Sequence, residues 1–408
     1  MRGGHIRQMR TVDLSGEAFK RAPFPTLTQL VDEGPFHETK IPLLGKVTFV
    51  THHGVITEFL KDQESFAVNA QNAGKKGVFG MFWLPKSVQI IAQNMLSLDE
   101  PDHRRLRKLV DLPFRAGAID KLGPAIARIA NTLIDEMEAT GERDLLHGFC
   151  RPLPLAVICE MLGLPENDRP EFMGWMEGLQ NSGTVRTLFS FMPMIKKIGT
   201  YLKAEFERRR HDPQPGLITE LVQAEADGEK LSEDELLAMV FLLFFAGHET
   251  TTHLFSNSVL ALAAHPETHA SLTQDWTRAP AAVEELHRFT SPVQMTKPRF
   301  VRRDMELHGQ SFKRGDKLMA LLAAGNLDPS VFGNPTTLDI TREKNRHLGF
   351  GGGLHLCLGL HLARAELQIG LQTLYTRWPS LAPTRAPSAL GWTKRIGTRG
   401  VTSLPVQF

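Results

Sequence analysis

The stretch from Ser232 to Pro266 most constrains how this chain can fold. Ser232-Glu233-Asp234-Glu235 has the form of a capping box, in which a serine hydroxyl and the glutamate three residues on each satisfy an amide left open at a helix start. Helix-favouring residues then run to about Ala264. There His265-Pro266 stops them, because proline lacks the amide and crowds the preceding turn. Thirty-odd residues at ~1.5 Å each span ~45 Å, the width of a whole domain. Leu236 to Gly247, LLAMVFLLFFAG, is apolar on every side, so this helix must cross a core. A membrane span needs ~20 such residues and the run has twelve, which predicts a core helix and no membrane span. Midway comes a polar break, Gly247-His248-Glu249-Thr250-Thr251-Thr252-His253. Polar groups inside a buried helix are costly unless they are used.

Around this helix the chain is uneven. Helical periodicity dominates from about Pro101 to Ala264. Short β-prone pieces stand at Lys46–Thr51, Arg299–Leu307 and Leu318–Leu322, and the end from Gly391 to Phe408 reads as extended. The expectation is a mainly α fold with a smaller β portion. Strands drawn from both ends of the chain argue for one interwoven domain over residues 1–408, with about 1–24 as a flexible N-terminal arm. The 47 basic and 45 acidic residues leave a formal charge of +2, which disfavours nucleic acid as a partner. The opening MRGGHIRQMR is basic but no apolar segment follows it, so no secretory leader is expected. Three cysteines, Cys150, Cys159 and Cys357, form no CxxC pair and suit a reducing cytoplasm.

The strongest local signal is Phe350-Gly351-Gly352-Gly353-Leu354-His355-Leu356-Cys357-Leu358-Gly359, followed by the helical run LHLARAELQIGLQTLY. Consecutive glycines cost entropy on ordering and let backbone approach something closely. The thiol stands just before a helix start, where amide dipoles favour a thiolate. One thiolate in an amide-rich loop suits an axial bond to haem iron. An inert buried cysteine and a cysteine hydrolase with Cys357 as nucleophile remain open on this segment alone. A phosphate loop does not fit, because no Lys-Ser/Thr follows the glycines.

Taken together, four segments resemble the cytochrome P450 monooxygenases. Phe350, Gly353, Cys357 and Gly359 match the signature FxxGxxxCxG; Glu285-Leu286-His287-Arg288 matches ExxR. Ala246-Gly247-His248-Glu249-Thr250-Thr251 matches the oxygen-activation segment of a long central helix, and His103-Arg104-Arg105-Leu106-Arg107 matches HxxxR. All four occur in the family's order, and the similarity runs from about residue 25 to the C-terminus. One departure is Asn326-Leu327-Asp328-Pro329, where the family often has arginine at the second position.

The resemblance implies a cytochrome P450 fold with the central helix over haem b. Cys357 would be the iron ligand, with Gly351 and Gly359 among the glycines around the sulfur and Phe350 packed over it. His103, Arg107, His355 and Arg299 would meet the haem propionates, and Ala246 would lie against the ring. Glu285, Arg288 and Arg342 would form a buried structural network. Thr250 follows Ala246 by four residues, so its hydroxyl can reach the Ala246 carbonyl. Beside side-chain-free Gly247 this predicts a bulge and a groove for O2 and water. Thr250 and Glu249 would then relay protons. Substrate contacts are expected at Phe82, Trp83, Phe191, Phe245, Val293 and Val401, which makes the substrate a hydrophobic small molecule. The implied reaction inserts one atom of O2, with NAD(P)H electrons brought by a ferredoxin- or flavodoxin-type carrier and its reductase. Arg104 and Lys108 offer a basic strip for that carrier. The alternatives are a peroxide-driven peroxygenase and a non-catalytic haem-thiolate sensor or ligand-binding protein.

Overall fold

A computed structural model describes the chain except for residues 1–12, 43, 76–88, 92, 181–191 and 227–228. The central helix runs unbroken from Glu233 to Ala264, 32 residues. Both halves of its capping box are formed: the Glu235 amide donates to Ser232 Oγ at 3.2 Å, and the Ser232 amide to Glu235 Oε2 at 2.9 Å. Its turns from Leu236 to Phe244 and from Thr251 to Leu262 are buried. Helices Gly123–Thr140, Pro152–Leu162, Met192–His211, Ala279–Thr290 and Leu360–Arg377 pack with it into the largest apolar core.

A five-stranded sheet lies at the other side of the fold. Its spatial order is Phe36–Ile41, Gly45–Val50, Lys317–Ala320, Arg299–Val301 and Phe66–Ala67. The first two form an antiparallel hairpin, while Thr48 pairs in parallel with Leu318 and Val50 with Ala320. Strands 270 residues apart in the chain are therefore neighbours. The extended C-terminal stretch does not join this sheet. It pairs locally, Ala382–Pro383 with Val406–Gln407, and bridges Val293 to Thr398 and Asp144 to Pro405. Of the arm expected at 1–24, residues 1–12 lie outside the described residues, whereas Leu14, Phe19 and Lys20 are buried. Lys20 donates to Gln294 Oε1 at 2.8 Å and to the Thr398 carbonyl at 2.5 Å, which ties this segment to two distant loops. Among the described residues no helix is long and apolar enough to cross a membrane.

Candidate active site

The cysteine loop is shaped by glycine. Gly351 and Gly353 adopt φ of 70° and 63°, left-handed conformations that side chains disfavour. A Cβ on Gly353 would stand 2.0 Å from the Leu60 carbonyl oxygen, so only glycine lets this loop press against helix His53–Lys61. The Cys357 amide closes the loop on the Phe350 carbonyl at 3.0 Å. Burial pushes the Cys357 thiol up, and the Gly359 amide, Arg107 and Arg364 oppose this without reversing it. A metal ion at the sulfur would deprotonate it outright.

The Phe350 ring is held by groups that the motif does not announce. His287 meets it edge-on at 4.3 Å between ring centroids, and the Arg364 guanidinium lies 5.0 Å from its centre. Arg364 forks onto Glu284 at 2.6 and 2.7 Å, and His347 Nε2 reaches the same carboxylate at 3.1 Å. Burial works to raise the Glu284 pKa, but the hydrogen bonds from His347 and Arg364 hold it down at about 2.

At the edge of the loop, helix Asp102–Asp111 brings His103 against His355, with ring centroids 4.4 Å apart. All four of their ring nitrogens are buried and without a hydrogen-bond partner. Burial, reinforced by Arg107 for His103 and by His103 and Arg299 for His355, drives their pKa values down to about 4 and about 3. Arg107 Nη1 donates to the Leu356 carbonyl at 2.8 Å. Arg299 is buried, and its Nη1 donates to the carbonyls of Leu60 and Phe59 at 2.9 and 3.2 Å. Each orphaned buried polar group costs ~1–3 kcal/mol. Four such nitrogens beside two guanidiniums fit a ligand with two carboxylates at its edge, as haem has, and Cys357 supplies one axial sulfur. The donor set fits that group.

Ala246 is exposed in mid-helix, and Phe245 and Thr250 are half-buried, although buried turns flank them on both sides along the axis. Thr250 Oγ1 donates to the Ala246 carbonyl at 2.9 Å, as its spacing predicts, and Thr251 and Thr252 repeat the pattern to Gly247 and His248 at 3.0 and 2.8 Å. The helix runs without a break through these residues. A carbonyl has two lone pairs, so it accepts a hydroxyl without releasing its amide. Gly247 has a different role: a Cβ there would lie 2.3 Å from Ile158 Cδ1, so it allows close packing of the central helix on helix Pro152–Leu162. Glu249 pairs with Arg395 at 2.5 Å and lies 3.9 Å from His253 Nε2. Nothing in the residues near Glu249 points to Arg395, which is 146 positions away.

Glu285 and Arg288 are fully buried and bonded twice, both at 2.7 Å. Arg342 Nε adds 3.1 Å to the same carboxylate, and Asn345 and the Asp339 amide each donate at 2.9 Å. Leu327, where the family often has arginine, is buried in the core under the sheet with Leu27 and Met319. Of the expected substrate contacts, Phe82, Trp83 and Phe191 lie outside the described residues. Phe245 stacks on Phe241, and half-buried Val293 bridges to Thr398. Val401 does not fit that expectation: it is 2% exposed and packs in the main core, bridging to Trp392.

The comparisons with known proteins agree with this geometry. A profile of the family Cytochrome P450 matches residues 46–379. The polyketide biosynthesis cytochrome P450 PksS of Bacillus subtilis is 36% identical over 396 residues, 96% of this chain and 97% of that one. The structure of P450BioI in complex with an acyl carrier protein ligated to hexadec-9Z-enoic acid superposes with a TM-score of 0.86 at 32% identity, covering 96% and 100% of the two chains. The myxobacterial cytochrome P450 CYP267B1 in complex with myristic acid gives 0.85 at 33% identity, covering 96% and 98%. The cysteine loop, the paired histidines and the threonine-bearing central helix carry the family's motifs, and by these matches the chain belongs to the cytochrome P450 family, haem-dependent oxidoreductases that incorporate oxygen.

Proposed function

We propose that this protein is a haem-thiolate monooxygenase that inserts one atom of O2 into a hydrophobic small molecule. The observation that carries the reading is the pair His103 and His355, four unsatisfied ring nitrogens placed beside the Cys357 loop. In this reading Cys357 holds the iron, and His103, His355, Arg107 and Arg299 hold the propionates. When bound, haem would supply redox chemistry at iron, which a thiolate ligand would tune toward O–O cleavage. Phe350, fixed by His287 and Arg364, shields the sulfur from water, and Gly359 donates an amide to it.

The proton path follows from Thr250. Its single hydroxyl proton is committed to the Ala246 carbonyl. Toward the cavity it therefore presents lone pairs, which hold a water that acts as the donor. Glu249, paired with exposed Arg395, connects this water to solvent and resupplies protons. Electrons from NAD(P)H arrive through a separate ferredoxin- or flavodoxin-type carrier. Arg104 and Lys108 are exposed on the outer face of helix Asp102–Asp111 and suit an acidic carrier, although Arg104 also pairs with Glu100 at 3.0 Å. Reversing both to Glu raises the carrier's KM at low salt if they form that surface. The carrier-linked acyl chain and the fatty acid in the relatives above make long-chain fatty acyl compounds the first substrates to test.

The deciding experiment is turnover under isotopically labelled dioxygen with NADPH, a ferredoxin and its reductase. One labelled oxygen per product supports the reading. Product formed only with added peroxide makes the protein a peroxygenase, and ligand binding without product makes it a sensor or carrier.

A further inference from the structure

On either side of Leu327 stand two buried polar side chains, Asn326 and Asp328, that none of the roles above uses. Asn326 follows the short helix Leu322–Gly325 and is fully buried. Its Oδ1 accepts from the Leu348 amide at 2.7 Å, and its Nδ2 donates to Ser291 Oγ at 3.0 Å. Ser291 Oγ gives its own proton to the Arg288 carbonyl at 2.8 Å, so toward Asn326 it can only accept. Both neighbours therefore fix which way round the Asn326 amide sits. Its backbone carbonyl accepts in turn from Arg288 Nη1 at 2.9 Å. Asp328 Oδ2 accepts at 2.8 Å from the amide of His53, the first residue of helix His53–Lys61, and His53 Nε2 reaches the Arg346 carbonyl at 2.8 Å.

These contacts end on two sides of the cysteine loop. Leu348 is the last residue before the glycines: its carbonyl accepts from the Gly351 amide at 2.8 Å, and two residues on the Phe350 carbonyl accepts from the Cys357 amide at 3.0 Å. Helix His53–Lys61 is the wall on which Gly353 presses. A segment with glycine at 349, 351, 352 and 353 has wide backbone freedom and no side chains there to hold it, so its place depends on fixed points outside it. The Glu285 network grips the chain upstream of Leu348, at Asp339, Arg342 and Asn345. Asn326 takes the next hold, on the residue from which the loop departs, and without its oxygen the Leu348 amide is a buried donor stripped of its acceptor. We propose that Asn326 is a positioning residue for the axial thiolate: by holding the Leu348 amide it fixes where the loop delivers Cys357. This rests on the haem-thiolate reading and adds to it the residue that keeps the sulfur in place.

The test compares Asn326→Leu, which keeps the side chain's size and removes its acceptor, with Ser291→Ala, which removes only the far partner of the same amide. In Asn326→Leu most of the reduced, CO-bound haem leaves the thiolate position of the Soret band. Its Leu348 amide exchanges with solvent about tenfold faster than in the parent, because exchange of a buried amide follows local opening. Ser291→Ala lowers Tm but keeps the parental values of both readouts, which a purely structural role for Asn326 would not separate. Asn326→Ser, too short to reach Leu348, repeats the loss of the thiolate band and serves if Asn326→Leu takes up no haem. A parental thiolate band in either Asn326 variant overturns the proposal. An equal loss of the band in Ser291→Ala overturns it too, by making the effect one of general stability. So does a Leu348 amide that exchanges freely in the parent, whichever variants fold. A parent lacking any haem-thiolate spectrum overturns the reading beneath it, whereas a thiolate spectrum untouched by the Asn326 changes overturns this inference alone.

Discussion

Replacing Glu285 with alanine strips five donors of one acceptor group at once. Arg288 loses the contacts of its Nε and Nη2 at 2.7 Å, and Arg342, Asn345 and the Asp339 amide lose theirs at about 3 Å. Arg288 is fully buried, so its charge is left without a counter-ion. Breaking a buried pair on one side costs ~3–5 kcal/mol. Three carbonyls, of Asn326, Pro335 and Thr337, still accept from Arg288 and keep the cost inside that range. For a chain of 408 residues the unfolding entropy of ~2.1 cal/mol/K per residue converts this to a fall in Tm of roughly 4–6 °C. The damage is local before it is global, because Asp339, Arg342 and Asn345 lie on the segment leading into the cysteine loop. The haem-to-protein ratio of purified Glu285→Ala should therefore fall well below that of the parent, with Glu285→Gln between them. A variant with parental Tm and full haem content would refute this account of the network.

Other perturbations separate chemistry from packing. Thr250→Ala should bind haem, substrate and O2 and consume NADPH, yet release peroxide in place of product; parental product per NADPH would remove Thr250 from the proton path. Gly247→Ala drives a methyl into Ile158 Cδ1, so adding Ile158→Val should recover about 1 kcal/mol in urea denaturation. If the second change only destabilises further, Gly247 does not serve that contact. In haem-free protein the pKa values of about 4 for His103 and about 3 for His355 lie below the ordinary 6.5, so the folded state binds fewer protons than the unfolded one. Stability is then full above about pH 6.5 and falls as pH drops toward about 4. The urea midpoint of the haem-free protein should follow that slope, and a His103→Gln/His355→Gln variant should flatten it; equal slopes would contradict the assignment.

What could be read from the sequence was local or carried by a motif. Ser232 and Glu235 cap their helix through contacts three residues apart, and Glu285 and Arg288 pair one turn apart. Spacing alone locates such pairs. Contacts set by the tertiary fold were not legible. Arg395 reaches Glu249 from the C-terminal loop, and Arg364 and His347 reach Glu284 from either side of the cysteine loop. Glu284 and His287 sit beside and within the ExxR motif, where two adjacent acids were the available hint that a second ion pair exists. Gly247 could be read as a gap because its neighbour Ile158 belongs to another helix. Val401 looked like a pocket residue because an apolar residue in an extended segment is equally suited to the core, and burial decides between them.

The central claim is that Cys357 holds haem iron through sulfur, and the reduced, CO-bound absorption spectrum tests it most directly. The parent should show its Soret band at the haem-thiolate position, and Cys357→His, if it retains haem, should show the band of a histidine-ligated haem. A histidine-type spectrum in the parent, or a thiolate-type spectrum that persists in Cys357→His, would contradict the account.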